Sequence, residues 1–162
     1  MSTQMKIVVM CCLSFSLLTA GCAGVSNSLV GNKVSSGPVV KVEQGGPDVG
    51  TWQTFNVVTD YNYSLTGDSF EISGAAVLGQ SNQMMYERII DLRVFLFLLD
   101  SDYRVLQGFP VARSLTGEID EKLTFKLTLK APPGMTAFSF GYDGHLSDDF
   151  NSMSFFLLPL NK

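Results

Sequence analysis

The chain has 162 residues with 11 basic and 15 acidic side chains, a formal net charge of −4, and 46% of its residues are apolar. That length suits one domain plus targeting material. A mildly acidic chain without a basic run excludes the electrostatic footprint of a nucleic-acid binder, or of a protein held on anionic lipid by charge.

The first residues read as an export signal. One cation, Lys6, precedes an uncharged stretch from Ile7 to Ala20, 14 residues long. A membrane-spanning helix needs roughly 20, so this length predicts the apolar region of a signal peptide, not a span. Small residues, Ala20 and Gly21, close the stretch, and Cys22 follows directly. The run Leu18-Thr19-Ala20-Gly21-Cys22 resembles the lipobox of bacterial lipoproteins, with Thr19 where that motif usually has leucine and Leu18 one step earlier. The resemblance implies cleavage before Cys22, acylation of the cysteine and of its new amino terminus, and a lipid anchor in the cell envelope. Two or three acyl chains hold firmly where one is marginal, because each buried methylene contributes about 0.8 kcal/mol. Ala23, in place of an aspartate, points to the outer membrane as the location.

Removal of residues 1–21 takes away Lys6, Cys11 and Cys12. The mature chain then carries 10 basic against 15 acidic residues, a charge of −5, and has no thiol besides Cys22. An exported domain without a possible internal disulfide has to be held together by its core.

Residues 22–51 are rich in Gly, Ser, Val and Asn, with breakers at "SSGP" and "QGGPDVG", and are expected to form a flexible tether after the lipidated cysteine. Such a stretch spans on the order of 30 Å. Within it, "VVKVE" (39–43) is a candidate edge strand. From Trp52 to Lys162 the pattern is that of strands. "YNYSLT" alternates Tyr61, Tyr63 and Leu65 with polar residues, and "FEISGAAVL" sets Phe70 and Ile72 on one face, with Gly74 allowing a bulge or close approach. "MMYERIIDLRVFLFLLDSDYRVL" admits a helix by its Met and Leu content, but Val94, Phe95, Phe97 and the Ile pair favour a strand. It is read as a central strand, Ile90–Leu99, turned by "DSD" into Tyr103–Gln107, with a loop or one helical turn at Gln80–Glu87. Leu92, Val94, Leu96 and Leu98 form one face, and Phe95, Phe97 and Leu99 the other, so both faces need cover. "KLTFKLTLK" alternates four apolar with four polar residues, "AFSFGY" puts Phe138, Phe140 and Tyr142 together, and "SMSFFLLPL" closes the chain.

Seven or eight strands separated by Gly, Asp and Pro turns predict an all-β chain, an immunoglobulin-like antiparallel β-sandwich. The segments "FEISGAAVLGQSN", "LRVFLFLLDSDYRVL" and "LTFKLTLKAPPGMTAFSFGY" resemble the FxLYD type of immunoglobulin-like domain of bacterial envelope proteins, over about residues 60–142. Leu96, Leu98, Leu99 and Asp100 fall at the motif's places, Leu standing for both its Phe and its Tyr. The resemblance implies an assembly module and not an activity.

Candidate chemistry is sparse. His145 lies in "YDGHLSDDFN" near Asp143, Asp148, Asp149 and Asn151, an oxygen-rich loop that is either a calcium site without EF-hand spacing or a solvated acidic hairpin. A Ser-His-Asp set would need His145, and no G-x-S-x-G elbow is present. Glu118, Asp120 and Glu121 sit together in one turn-like stretch, an arrangement of a charged loop more than of an acid/base pair. Trp52, Tyr61 and Tyr63 are either a sugar-stacking platform or packing. No catalytic residue, metal or cofactor is assigned. The leading expectation is a non-enzymatic, membrane-anchored lipoprotein that binds another envelope protein, with Phe95, Phe97 and Leu99 as the contact patch if that face is open. The alternative is a closed β-barrel carrying a lipid or other apolar ligand.

Overall fold

The computed structural model describes residues 29–160. The signal stretch, Cys22 and residues 22–28 of the expected tether lie outside the described residues. Nine strands and one short helix follow in order: β1 (Val40–Lys41), β2 (Gly45–Gln53), β3 (Val57–Thr66), β4 (Ser69–Leu78), α1 (Gln80–Met85), β5 (Arg88–Leu99), β6 (Val105–Glu118), β7 (Leu123–Lys130), β8 (Ala137–Ser147) and β9 (Ser152–Leu157).

They build two antiparallel sheets. One has the order β2-β3-β4-β7, and in the other β6, β5 and β8 lie side by side, with β1 and β9 sharing the far side of β8. Strands β3 to β9 thus place a β3-β4-β7 sheet against a β6-β5-β8-β9 sheet, with crossings between sheets at β4–β5, β6–β7 and β7–β8. This is the immunoglobulin-like sandwich arrangement expected from the strand pattern. The sheets stay open at their edges and do not close into a barrel.

Alternation explains the layers. Along β3, Val57, Thr59, Tyr61, Tyr63 and Leu65 are buried while Asp60, Asn62 and Thr66 are exposed. On β7, Leu123 and Phe125 face inward while Thr124, Lys126, Thr128 and Lys130 are exposed. The core between the sheets is dominated by rings. Phe138 lies 5.2 Å from both Tyr61 and Tyr63, 5.8 Å from Phe70 and 5.8 Å from Phe140, mostly edge-on or tilted. Aromatic pairs at such separations contribute about 0.5–1.5 kcal/mol beyond area burial. Trp52 is fully buried against Phe140 and Tyr142, and its indole N–H donates to the Pro38 carbonyl at 2.8 Å. These rings fill the sandwich with side chains, which removes the structural basis for the carrier-barrel reading.

Two sequence expectations are corrected. Residues 29–51, expected as tether, belong to the sandwich. Lys33 bridges to Arg104 and Leu160, β1 pairs with β8, and β2 runs the length of β3. The breakers at Gly45, Gly46 and Pro47 misled because an edge strand absorbs them: the register shifts between Gly45 and Asp48, and both glycines take positive φ. Second, Phe97 and Leu99 do not form an open patch. They are 1% and 0% exposed, in a small outer core with Val34, Val105 and Ala137, flanked by Leu29, Val39, Phe95, Tyr103 and Leu158. Part of the cover, Leu29, Val34 and Val39, comes from the stretch taken for tether.

Gly74 makes a close approach, not a bulge. A Cβ there would lie 2.2 Å from the Asp60 carbonyl oxygen and 2.9 Å from the Phe125 ring, and the β3–β4 register runs through it unbroken.

Candidate functional site

The strands give the sandwich two unlike ends. At one, the proximal end, the described chain enters: the Gly31 amide donates to Val105, the Val34 amide to Tyr103, and Lys33 pairs with Leu160. At the other, the distal end, lie the β2–β3 turn (54–56), the α1 connection (79–87), the β6–β7 turn (119–122) and the β8–β9 turn (148–151). Twelve-residue β5 spans the distance between the ends, about 40 Å at 3.3 Å per residue.

Four large apolar side chains stand out of the distal turns: Phe55 is 70% exposed, Met84 74%, Met85 53% and Phe150 92%. Single exposed apolar residues need no explanation, but several on neighbouring turns do. The turns that carry them are braced to one another. The Asn82 side-chain amide of α1 donates to Asn56 Oδ1 at 3.1 Å, beside Phe55. Thr54 and Asn56 both donate to the Tyr142 hydroxyl at 3.2 Å, tying that turn to β8. The Glu87 amide donates to the Ser147 carbonyl, and Arg88 reaches Asp149 at 3.3 Å, joining the α1 connection to the β8–β9 turn.

Asp148 shapes the turn that displays Phe150. Its Oδ1 accepts the backbone N–H groups of Phe150 at 2.7 Å and Asn151 at 2.6 Å. Those two donors favour the carboxylate and hold its pKa below the ordinary value. The turn is therefore fastened while Asp148 is ionised, and loses that fastening as pH falls through the depressed pKa.

Charge around the tips is one-sided. On the distal turns and the residues that flank them, Glu87, Glu118, Asp120, Glu121, Asp148 and Asp149 outnumber Arg88 and Lys122, and Arg113 adds one more cation beside Glu118 and Asp120. An open cleft of about 590 Å³ runs along the same end, lined by residues 113–118 with Asp120 and Glu121. Glu121 is engaged there by the Ser114 hydroxyl. The expected charged turn at Glu118–Glu121 is what the structure contains.

The remaining candidates are placed as follows. Trp52, Tyr61 and Tyr63 are core residues at 0%, 8% and 2% exposure, so they offer no stacking platform for a sugar. Burial, with Asp48 nearby, raises the pKa of both tyrosines. In the 143–151 stretch Asp143 pairs with Arg93, Asp149 with Arg88, and Asp148 accepts from the backbone N–H groups of Phe150 and Asn151. Among the described residues no group of three His, Cys, Asp or Glu is placed to hold a metal. His145 Nδ1 is 2.9 Å from Ser154 Oγ on the exposed face of the β8–β9 pair, but the flanking carboxylates Asp91 and Asp143 are taken up by Arg93 and Arg113. Phe95 is half-buried and stacks on Phe97 at 6.2 Å.

Sequence reasoning passed over Phe55, Met84, Met85 and Phe150. Their signal was present in the sequence: large apolar residues inside turn-forming contexts, "TFN", "NQMMY" and "DDFN". The chain matches no protein-family model, no curated protein and no solved structure. Among the described residues no helix is long and apolar enough to cross a membrane.

Proposed function

We propose that this chain is a lipid-anchored envelope lipoprotein, held at Cys22 in the outer membrane, whose β-sandwich is a non-enzymatic protein-binding module. The observation that carries the binding role is the set of apolar tips Phe55, Met84, Met85 and Phe150 on mutually braced turns at the distal end. Cys22 to Ser28 is seven residues, a reach of up to about 25 Å, and the described chain then enters at the opposite end of the sandwich. Anchoring therefore leaves the tips free. In immunoglobulin-like sandwiches the turns gathered at one end are a common recognition surface, here an analogy of fold only. The acidic collar specifies the partner's chemistry: a protein face with apolar sockets and a basic rim. It disfavours an anionic bilayer as the occupant. The pattern-level resemblance to FxLYD-type envelope domains is in line with this reading.

Benzoylphenylalanine placed at Phe55 or Phe150 in the anchored chain, irradiated in cells of the source organism, tests it. The expected result is a protein adduct whose cross-linked peptide is basic, with a yield that falls about tenfold in Glu118→Lys/Asp120→Lys. Adducts confined to lipid, or a yield indifferent to the charge reversal, would refute the assignment.

A further inference from the structure

The four edges of the two sheets are not treated alike. A free strand edge invites pairing with another strand, and natural sheets block it with lysines, proline, bulges or irregular backbone. Edge β7 carries exposed Lys126 and Lys130. Edge β6 has Pro110, Arg113, two register shifts against β5, and Thr116 at φ 54°. Edge β2 has Pro47 and a register shift. Edge β9 has none of these. Its sequence, Ser152-Met153-Ser154-Phe155-Phe156-Leu157, is uncharged, it runs without register shift against Tyr142–Ser147, and the chain stays uncharged to Leu160. Among the described residues β9 pairs only with β8, and Phe156 is 68% exposed.

We propose that β9 is the seam of a symmetric dimer, pairing antiparallel with β9 of a second copy to join two β6-β5-β8-β9 sheets into one. An antiparallel self-pair places same-face residues opposite each other. Phe156, Ser154 and Ser152 share the outer face with Asp143, His145 and Ser147, while Met153, Phe155 and Leu157 face the core. Across the two-fold axis, Phe156 meets Ser152, Ser154 or Phe156 of the second copy, so no charge faces its own image.

The location of the entering chain agrees with this occupant. The axis of such a pair runs perpendicular to the sheet, and residues 29–39 lie on the sheet's outer face against Phe97 and Leu99. Both entering segments then leave from one side of the joined sheet, as two anchors in a single membrane require. The β2–β3 turn, the α1 connection and the β6–β7 turn point outward at the dimer's two ends, whereas the β8–β9 turn, which carries Phe150, borders the seam. The membrane geometry rests on the lipoprotein reading, whereas the edge argument does not.

The test places cysteines, Ser154→Cys, Phe156→Cys or the two together, in the full chain and oxidises membranes of cells producing it; the three variants cover the registers in which Phe156 faces Ser152, Phe156 or Ser154. Antiparallel partners have Cα atoms about 4.5–5.5 Å apart, within disulfide reach. At least one position is expected to give a disulfide-linked dimer at about ten times the yield of Thr128→Cys on the β7 edge. Adding Ser152→Lys is expected to cut that yield about tenfold, because a lysine on a free edge blocks strand pairing. Equal yields at β9 and β7, or yields unaffected by the lysine, would overturn the seam. The same panel in a Cys22→Ser chain, at high protein concentration, separates the two readings: the dimer is expected to form there without any anchor, and its absence there would overturn the seam while leaving the lipoprotein reading untouched.

Discussion

Phe97→Asp is expected to unfold the domain, whereas Phe95→Asp, two residues away on the same strand face, is expected to leave it folded. Phe97 is 1% exposed, enclosed by Val34, Leu99, Val105 and Ala137. Removing a buried phenylalanine side chain costs about 3–5 kcal/mol. An aspartate adds the penalty of a buried, unpaired charge. Together these reach the size of a typical domain's entire stability, about 5–15 kcal/mol. Phe95 is half-buried at the rim of the same cluster, so its replacement costs less, about 1–3 kcal/mol. Urea titration followed by near-UV circular dichroism reads both. A Phe97→Asp protein with near-normal stability would mean that residues 29–39 do not cover this face.

The second large effect falls on the inner core. Phe138→Ala is expected to destabilise the domain by about 3–5 kcal/mol, toward the upper end of that range. Phe138 is 0% exposed and touches four other rings, two from β3, one from β4 and one on its own strand. Its loss therefore loosens the packing of both sheets at once, and the surrounding rings are too rigid to collapse into the space. Phe156→Ala, 68% exposed, is the matched control, expected within about 0.5 kcal/mol of the parent by the same titration. Equal effects from the two would contradict the assignment of Phe138 to the centre of the core.

Much of this architecture was legible because period-two alternation is a direct imprint of a half-buried strand. "KLTFKLTLK" and "YNYSLT" gave β7 and part of β3, and the doubly apolar run at 90–99 gave β5 with its two covered faces. What escaped was structure whose local signal contradicts its tertiary role. Strand β2 contains Gly-Gly-Pro, and most of β6 contains Gly108 and Pro110, because edge strands tolerate residues that a central strand would exclude. Which segment covers Phe97 could not be read from β5 itself, since part of the cover, Leu29, Val34 and Val39, lies more than fifty residues earlier in a stretch whose composition looks like linker. The distal site was illegible for a related reason. Its parts lie on four separate turns, and only the topology brings Phe55, Met84, Met85 and Phe150 to one end.

On the reading proposed above, this sandwich works from a lipid anchor at Cys22. The most direct measurement is the intact mass and amino-terminal peptide of the chain purified from membranes. A chain that begins at Cys22 and carries acyl groups on that residue is expected. An unmodified Cys22, whether in an uncleaved chain or in one cut elsewhere, would contradict it.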